Sequence, residues 1–453
     1  MNSTQAQLPQ ARTESRPLSY MEKFATGWGT QNIHFTFSGP FTETLIASAM
    51  HQVWVSNPLL RCVIRDSHIA TISPADVQSQ ELPIVCLQAN GGSKQRYELA
   101  AQNAWGGMAL NMVPEKLWEA LFFYDCSGCE MVLRTHHSIL DGMSWFSLIA
   151  DFLNACDGNS LEIKPLNPPM ESVYEAHGKA IAGQEPFALQ AWLDTKGTSY
   201  QTQPIFTQMV LTRLSKNLLD QLKVRCGERG VTVHGALMAA YLLATDNALP
   251  KLYSDISTRR FCEPRLSPTY PGVYIGQVVW ETSAPKSEGF WESAARLLRE
   301  LRERIEAGVH LSSNEECRST SVGPEILNIT NMAPPDFPKG KFSLEYASLY
   351  FAIGNSPEVP SFPVVFSIMT INGILNLQFN YHQNFWTRAQ AQNILSKLVD
   401  ILAVEGAGLP VERVERTHDY RPRERWRHTE NVPMDQESPP SPSRLAGEHY
   451  PRG

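Results

Sequence analysis

The sequence predicts an α/β protein built from two similar α/β sandwiches. A strand, a helix, further strands and another helix follow one another in the first half of the chain, and a comparable order recurs in the second half. The chain has 453 residues, which is enough for two domains of ordinary size. Its hydrophobic content of 42% and charged content of 19% are typical of globular proteins. A continuous, regularly alternating parallel sheet is therefore not expected.

The first half gives clear periodic signals for its strands and helices. Apolar residues alternate in the predicted strands and form one stripe along the predicted helices. The predicted elements are a strand at 32–38, a helix at 41–56, short strands at 59–64 and 69–72, a strand hairpin at 118–125 and 130–137, and a helix at 144–154.

The second half predicts a similar set. Asn372-Gly373 supplies two residues that tolerate a positive φ, as a type I′ hairpin turn requires. The predicted strands are 208–214, 273–281, 343–353, 364–371 and 374–381, and the predicted helices are 215–228, 233–246, 289–308 and 387–404.

The domain boundaries follow from shifts in composition. We predict a disordered N-terminus at 1–17, an N-terminal lobe at 18–165, a crossover at 166–203 that is helical but polar, a C-terminal lobe at 204–408 and a disordered tail at 409–453.

Charge and hydropathy exclude several classes of partner. The net charge is −7 without a long basic block, so no nucleic-acid partner is expected. No apolar stretch is long enough to span a bilayer, and the polar N-terminal segment lacks the apolar core of a signal peptide. Eight cysteines in a chain of this length do not indicate a disulfide scaffold. We expect a cytoplasmic monomer with reduced thiols.

The chemistry of the chain is concentrated in the segment HHSILDGMS at residues 136–144. His136 and His137 end a predicted strand, and successive strand side chains point to opposite faces, so only one of the two rings can face a given cavity. An imidazole held at a strand end can take a proton from an alcohol or amine near neutral pH without a metal. A single histidine is more often a hydrogen-bonded or surface residue, but the ordered set of His, His, Asp and Gly favours a functional site.

This segment resembles the HHxxxDGxS signature of the coenzyme A-dependent acyltransferase superfamily. Members include chloramphenicol acetyltransferase, condensation domains of nonribosomal peptide synthetases, plant alcohol acyltransferases and polyketide-associated acyltransferases. NPLLR at 57–61, ISTRR at 256–260 and GVYIG at 272–276 are weaker similarities, and the resemblance spans roughly residues 17–405. It implies two chloramphenicol-acetyltransferase-like lobes in a V around a central tunnel, with donor and acceptor entering at opposite mouths.

The resemblance implies roles for the residues of the motif. His137 matches the general base, and His136 matches its buried partner, which fixes the turn. Asp141 matches a structural carboxylate in a salt bridge with an arginine, for which Arg61 is our first candidate and Arg259 our second.

Three more residues complete the predicted site. Gly142 leaves room beside the base, where a side chain would narrow the tunnel. Met143 and Ser144 lie at the predicted helix start, where N–H groups point outward and can steady an oxyanion. Ser144 is most simply the N-cap or a first-turn residue of the helix.

The substrate class follows from the resemblance and from departures from it. The second half lacks the HQDxPFE-like segment of peptide-forming condensation domains and the DFGWG stretch of plant acyltransferases. We expect a stand-alone enzyme that moves an acyl group from acyl-CoA or acyl carrier protein to a hydroxyl or amine of a small, hydrophobic secondary metabolite. No cofactor or metal is expected, and a carrier protein is the one macromolecular partner considered.

Three alternative functions remain open. His136, His137 and Asp141 are potential metal ligands, but adjacent strand histidines diverge, and one Cys-x-x-Cys pair (Cys126 and Cys129) is too few for a structural zinc site. A Ser-His-Asp hydrolase would need a Gly-x-Ser-x-Gly elbow, which the sequence lacks. The third alternative is a non-catalytic docking module of a biosynthetic assembly, against which the intact His137 and Gly142 argue.

Overall fold

Two large sheets form the framework of the protein. The structure is a computed structural model that describes residues 13–26, 29–105, 108–110, 114–173, 202–204, 207–246, 251–283, 287–308, 326–334, 337, 340–350 and 364–409. The strands are β1 Ser15–Pro17, β2 Thr30–Ser38, β3 Cys62–Arg65, β4 His68–Thr71, β5 Ile84–Gln88, β6 Met108–Leu110, β7 Trp118–Asp125, β8 Gly128–His136, β9 Thr202–Pro204, β10 Thr207–Leu214, β11 Lys251–Ser257, β12 Ile275–Glu281, β13 Ile326–Met332, β14 Ser343–Tyr350, β15 Val364–Ile371 and β16 Ile374–His382.

Helices pack against both sheets. They are α1 Tyr20–Ala25, α2 Glu43–Ser56, α3 Pro74–Val77, α4 Gly92–Trp105, α5 Gly142–Cys156, α6 Met170–Val173, α7 Lys216–Glu228, α8 Val233–Ala244, α9 Phe290–Glu306 and α10 Arg388–Ile401.

The first lobe is built on a five-stranded sheet in the order β14-β2-β8-β7-β5. Ile33, Phe35 and Phe37 alternate along β2 and are fully buried in its core. Helices α2 and α5 pack against each other and supply much of the same core. Because β8 lies in the middle of the sheet and runs directly into the α5 turn, the residues after β8 are held by packed structure on both sides.

The second lobe is built on a six-stranded sheet in the order β10-β16-β15-β13-β11-β12. Its core is separate from that of the first lobe and includes the almost entirely buried helix α8. The β15–β16 hairpin turns at Asn372 and Gly373, whose φ angles of 51° and 75° are those the Asn-Gly pair predicts. Strand β11 lies between β12 and β13, and this position matters for the site described below.

Two sequence-based boundaries need correction. Strand β14 falls in the range predicted for the C-terminal lobe but pairs with β2 in the first sheet, because apolar alternation identifies a strand without specifying its partner. Residues 15–17 were predicted to be disordered but form β1, which pairs with β4. Arg16 makes a buried double hydrogen bond to Glu22, at 2.6 and 2.7 Å, and this interaction is not visible in composition.

The other predicted irregular segments lie largely outside the described residues. This holds for residues 1–12, for 174–201 of the predicted crossover and for 410–453 of the predicted tail. Within the described part of the crossover, only the short helix α6 is present over the predicted helical stretch that begins at 170.

Candidate active site

The turn between β8 and α5 is fixed by backbone hydrogen bonds. The His136 N–H donates to Leu117 O at 2.8 Å, and the His137 N–H donates to Gly29 O at 3.0 Å. The Ile139 N–H donates back to His136 O at 3.2 Å, which closes a tight turn before the helix. The position of the second histidine is therefore set by main-chain structure rather than by its own side chain.

His137 lines a cleft between the two lobes. The cleft encloses about 530 Å³, part of it open to solvent, and residues of β11, β12 and β13 form its opposite wall. The ring is only 7% exposed. Burial lowers the pKa of His137 to about 4, although a hydrogen bond to its own backbone and the charge of Asp141 act in the opposite direction. The imidazole is thus neutral at physiological pH and able to accept a proton.

His136 points into the protein, as strand alternation requires. It is 1% exposed, and its Nδ1 lies 2.7 Å from Ser138 Oγ. Burial lowers the pKa of His136 to about 3, with a further contribution from His137. His136 is not among the residues that line the cleft. The two adjacent histidines therefore have different environments, one structural and one facing the cleft.

Asp141 caps helix α5 and joins the two lobes. Its Oδ1 accepts from the Ser144 N–H at 3.0 Å. Arg259 donates from both terminal nitrogens, each 2.8 Å from a carboxylate oxygen, and the Tyr274 N–H donates at 3.0 Å. Burial works to raise the pKa of Asp141, but the Arg259 charge and these hydrogen bonds outweigh it and lower the pKa. The turn that carries His137 is thereby tied to the second lobe.

Our first candidate for the partner of Asp141, Arg61, was wrong, and the second, Arg259, forms the bridge. The Arg61 guanidinium instead donates to Ile72 O at 2.6 Å within the first lobe. Arg259 reaches Asp141 because it follows β11, and its guanidinium also donates to Tyr270 O at 2.7 Å. The two arginines are about equally buried, at 2% and 1% exposure, so burial does not distinguish them.

Ser144 does not offer a free amide to an oxyanion, which corrects its place among the oxyanion candidates. Its N–H is used by the Asp141 cap, so Asp141 is the N-cap and Ser144 a first-turn residue. Its hydroxyl lies 2.8 Å from both Asp141 Oδ1 and Gly272 O and accepts from the Gly272 N–H at 3.0 Å. Met143 does line the cleft. It occupies the second position of α5, where the N–H has no partner within the helix.

Gly142 lies where the cleft is narrowest in chemical terms. A Cβ built on it would overlap Met332 Sδ on β13 and would approach Trp145 Cζ3 to 3.6 Å. Any larger residue must therefore displace Met332 into the space between the lobes. The geometry fits the predicted role of this glycine.

Sequence reasoning missed two polar residues of the cleft. Asp255 on β11 lines the wall opposite His137, and Gln31 on β2 lies on the first-lobe side. A signal was present: aspartate is depleted in strands, and Asp255 lies within the apolar stretch that forms a central strand. Its single polar position was read only as part of the arginine segment.

The site and fold define a class of protein: a two-lobed molecule with a neutral imidazole in the cleft between its lobes. Among the described residues, no group of three or more His, Cys, Asp or Glu side chains is arranged to hold a metal. None of the described helices has the length and apolar character needed to span a membrane.

Comparison with known proteins identifies the family. Residues 16–407 match the condensation-domain model, and the chain belongs to this family, part of the coenzyme A-dependent acyltransferase superfamily. The predictions of superfamily and of two chloramphenicol-acetyltransferase-like lobes are thus confirmed. A comparison with curated protein sequences found no significant match.

Solved structures share the fold at low sequence identity. Polyketide synthase associated protein 5 from Mycobacterium tuberculosis is 16% identical, with a TM-score of 0.61 over 86% of this chain and 97% of that one. Trichothecene 15-O-acetyltransferase from Fusarium sporotrichioides is 15% identical, with a TM-score of 0.61 over 86% and 95%. The epimerization domain of the third module of tyrocidine synthetase B is 16% identical, with a TM-score of 0.61 over 87% and 96%. These likenesses establish the fold alone.

Proposed function

We propose that the protein transfers an acyl group from a thioester to a hydroxyl or amine of a small molecule, with His137 as the general base. One observation carries this proposal: a buried, neutral imidazole lines the cleft between the lobes of a condensation-family fold. The donor is acyl-CoA or an acyl carrier protein, and the acceptor is a small secondary metabolite.

The reaction needs one proton acceptor and no covalent enzyme intermediate. His137 removes the proton from the acceptor O–H or N–H as the oxygen or nitrogen attacks the thioester carbonyl carbon. The tetrahedral intermediate collapses, the C–S bond breaks, and the departing thiolate takes the proton from the imidazolium. Because burial lowers the pKa of His137 to about 4, the buried imidazolium gives up this proton readily.

The start of helix α5 is suited to hold the developing negative charge. The amides of Gly142 and Met143 belong to the first turn, where the helix dipole favours an anion. Both residues line the cleft that contains His137. Asp141 and Arg259 neutralise each other in this mechanism and hold the turn in place without contacting the reacting atoms.

The proposal is tested by following thiol release from a panel of acyl-CoAs and acyl carrier proteins, with and without added alcohols and amines. We expect acceptor-dependent release of free thiol and a product whose mass equals acceptor plus acyl group. Binding of a carrier protein without thiol release from any donor would contradict the proposal and favour the alternative, a non-catalytic docking module.

A second candidate reaction is favoured by one observation. His137 and Asp255 face the same cleft from opposite lobes, and burial raises the pKa of Asp255 to about 6. Such a pair can remove a proton from one face of a carbon beside a thioester and return one to the other face. Incubation of an aminoacyl thioester in D₂O separates the reactions, because epimerisation places deuterium on the α-carbon whereas acyl transfer does not.

A further inference from the structure

Asp255 is a cleft carboxylate whose described partners are all neutral. It lies on β11 in register with Gln277 of β12, and the Thr330 hydroxyl donates to its Oδ2. Side-chain hydrogen bonds from Gln277 and Asn328 complete its surroundings. Within the described parts of the chain, Asp255 forms no ion pair. Its side chain is therefore held in position but its charge is not neutralised.

The other charged groups of the cleft cancel. Arg259 and Asp141 form a bidentate pair, and the pKa of His137, lowered to about 4, leaves that ring neutral. Asp255 is then the source of the net charge of the lining. Burial raises the pKa of Asp255 to about 6, opposed by its hydrogen bonds and reinforced by Asp141, so the carboxylate is ionised at pH 8. A partly buried charge without a counter-ion favours a cationic ligand.

A second unsatisfied acceptor lies on the first-lobe wall. Gln31 is 2% exposed, lines the cleft, and its Oε1 has no hydrogen-bond partner among the described residues. A buried amide oxygen left without a donor carries a desolvation cost that a ligand N–H can relieve. An ammonium group has three N–H donors and no acceptor, so it complements both Asp255 and Gln31.

The rest of the lining is apolar. Side chains from both lobes contribute to it, including Met143, Trp145, Met332 and Leu349. These walls suit a carbon chain or ring rather than a polyhydroxylated molecule. Together with the unpaired carboxylate, they define a ligand that is apolar along its length and positively charged at one point.

We propose that Asp255, assisted by Gln31, is a specificity-determining residue that binds a protonated amine of the acceptor, so that the preferred acceptors are apolar molecules with a cationic amine besides the group that is acylated. This inference rests on the proposed function in naming the ligand as the acceptor. The cation-binding site itself does not depend on the reaction.

The test compares α,ω-amino alcohols of three to eight carbons with mono-alcohols of the same length. Their dissociation constants are measured by calorimetry at pH 8 on the full chain, and the kcat/KM values of acyl transfer are measured separately. We expect the best amino alcohol to bind roughly ten- to a hundredfold more tightly than its mono-alcohol, the range for a hydrogen bond to a charged group. This preference should fall to about twofold or less in Asp255→Asn.

Two further variants complete the design. Asp246→Asn is the matched control: this exposed aspartate has a φ of 51°, which asparagine tolerates, and pairs only with Lys397 in the described structure. The amine preference should be unchanged there. Gln31→Met keeps the side-chain volume and should reduce the preference several-fold, so the proposal can be tested even if Asp255→Asn fails to fold.

The outcomes separate the two proposals. An Asp255-dependent preference for the amine without acyl transfer supports the cation site and contradicts the acyltransferase function. Acyl transfer without any amine preference, an equal preference in Asp255→Asn, or the absence of measurable binding of every amino alcohol overturns the cation site.

Discussion

Removal of the Arg259 side chain should destabilise the protein far more than removal of an equally buried arginine elsewhere. In Arg259→Met, Asp141 would remain 2% exposed without its counter-ion and without two hydrogen bonds of 2.8 Å. Breaking a buried ion pair from one side costs about 3–5 kcal/mol. Arg61→Met is the matched control, since it loses a single hydrogen bond to Ile72 O, a change of about 1–3 kcal/mol at most.

The assay is urea unfolding followed by far-UV circular dichroism, together with kcat/KM of thiol release. Because the bridge holds the turn that carries His137, Arg259→Met should also lower kcat/KM, whereas Arg61→Met should leave it nearly unchanged. The double variant Asp141→Asn with Arg259→Met should recover part of the lost stability, since it removes the unpaired charge. Equal losses in Arg259→Met and Arg61→Met, or strictly additive effects of the two changes, would refute this assignment of the bridge.

Three more outcomes are expected. Gly142→Ala should lower kcat/KM by about tenfold or more, because the new methyl group overlaps Met332 and disturbs the geometry beside the base; adding Met332→Ala should restore part of it, and Gly227→Ala, with no atom within 4 Å, should change nothing. With a neutral alcohol as acceptor, kcat/KM should stay level from pH 8 to about pH 5 and fall near pH 4, following the lowered pKa of His137; a break at pH 6.5 would contradict this. The buried His136, with a pKa of about 3, binds its proton only when the chain unfolds, so it makes stability fall with pH below 6.5 by up to about 1.4 kcal/mol per unit, and His136→Gln should reduce that slope in urea titrations at pH 4–7.

Elements with strong periodicity could be predicted from the sequence. Strands β7 and β8 and helix α5 follow closely the predicted ranges, because their apolar residues repeat every two and then every three to four positions. Helix α4 was missed because it is polar over most of its length, with Ala100 and Ala104 as its small buried contacts. Strand β5 was missed because, as an edge strand, it exposes Val85 and Leu87 and shows no buried face.

The candidate site divides in the same way. The turn from His136 to Ser144 is local, so a short segment carries most of the information about it. The partner of Asp141 is 118 positions away, and the order of residues along the chain does not indicate which of two buried arginines reaches it. Gln31 and Asp255 meet at the cleft only because the two sheets face each other across it. Such pairings follow from tertiary packing and not from local pattern.

The central claim is that the imidazole of His137 accepts the acceptor's proton. The most direct test is kcat/KM of acyl transfer in His137→Ala, with the exposed His68→Ala as control and circular dichroism to verify folding. Loss of a general base lowers the rate by about two to four orders of magnitude, so His137→Ala should lose that much while His68→Ala keeps full activity. A folded His137→Ala protein that transfers the acyl group at more than about a tenth of the normal rate would contradict the account.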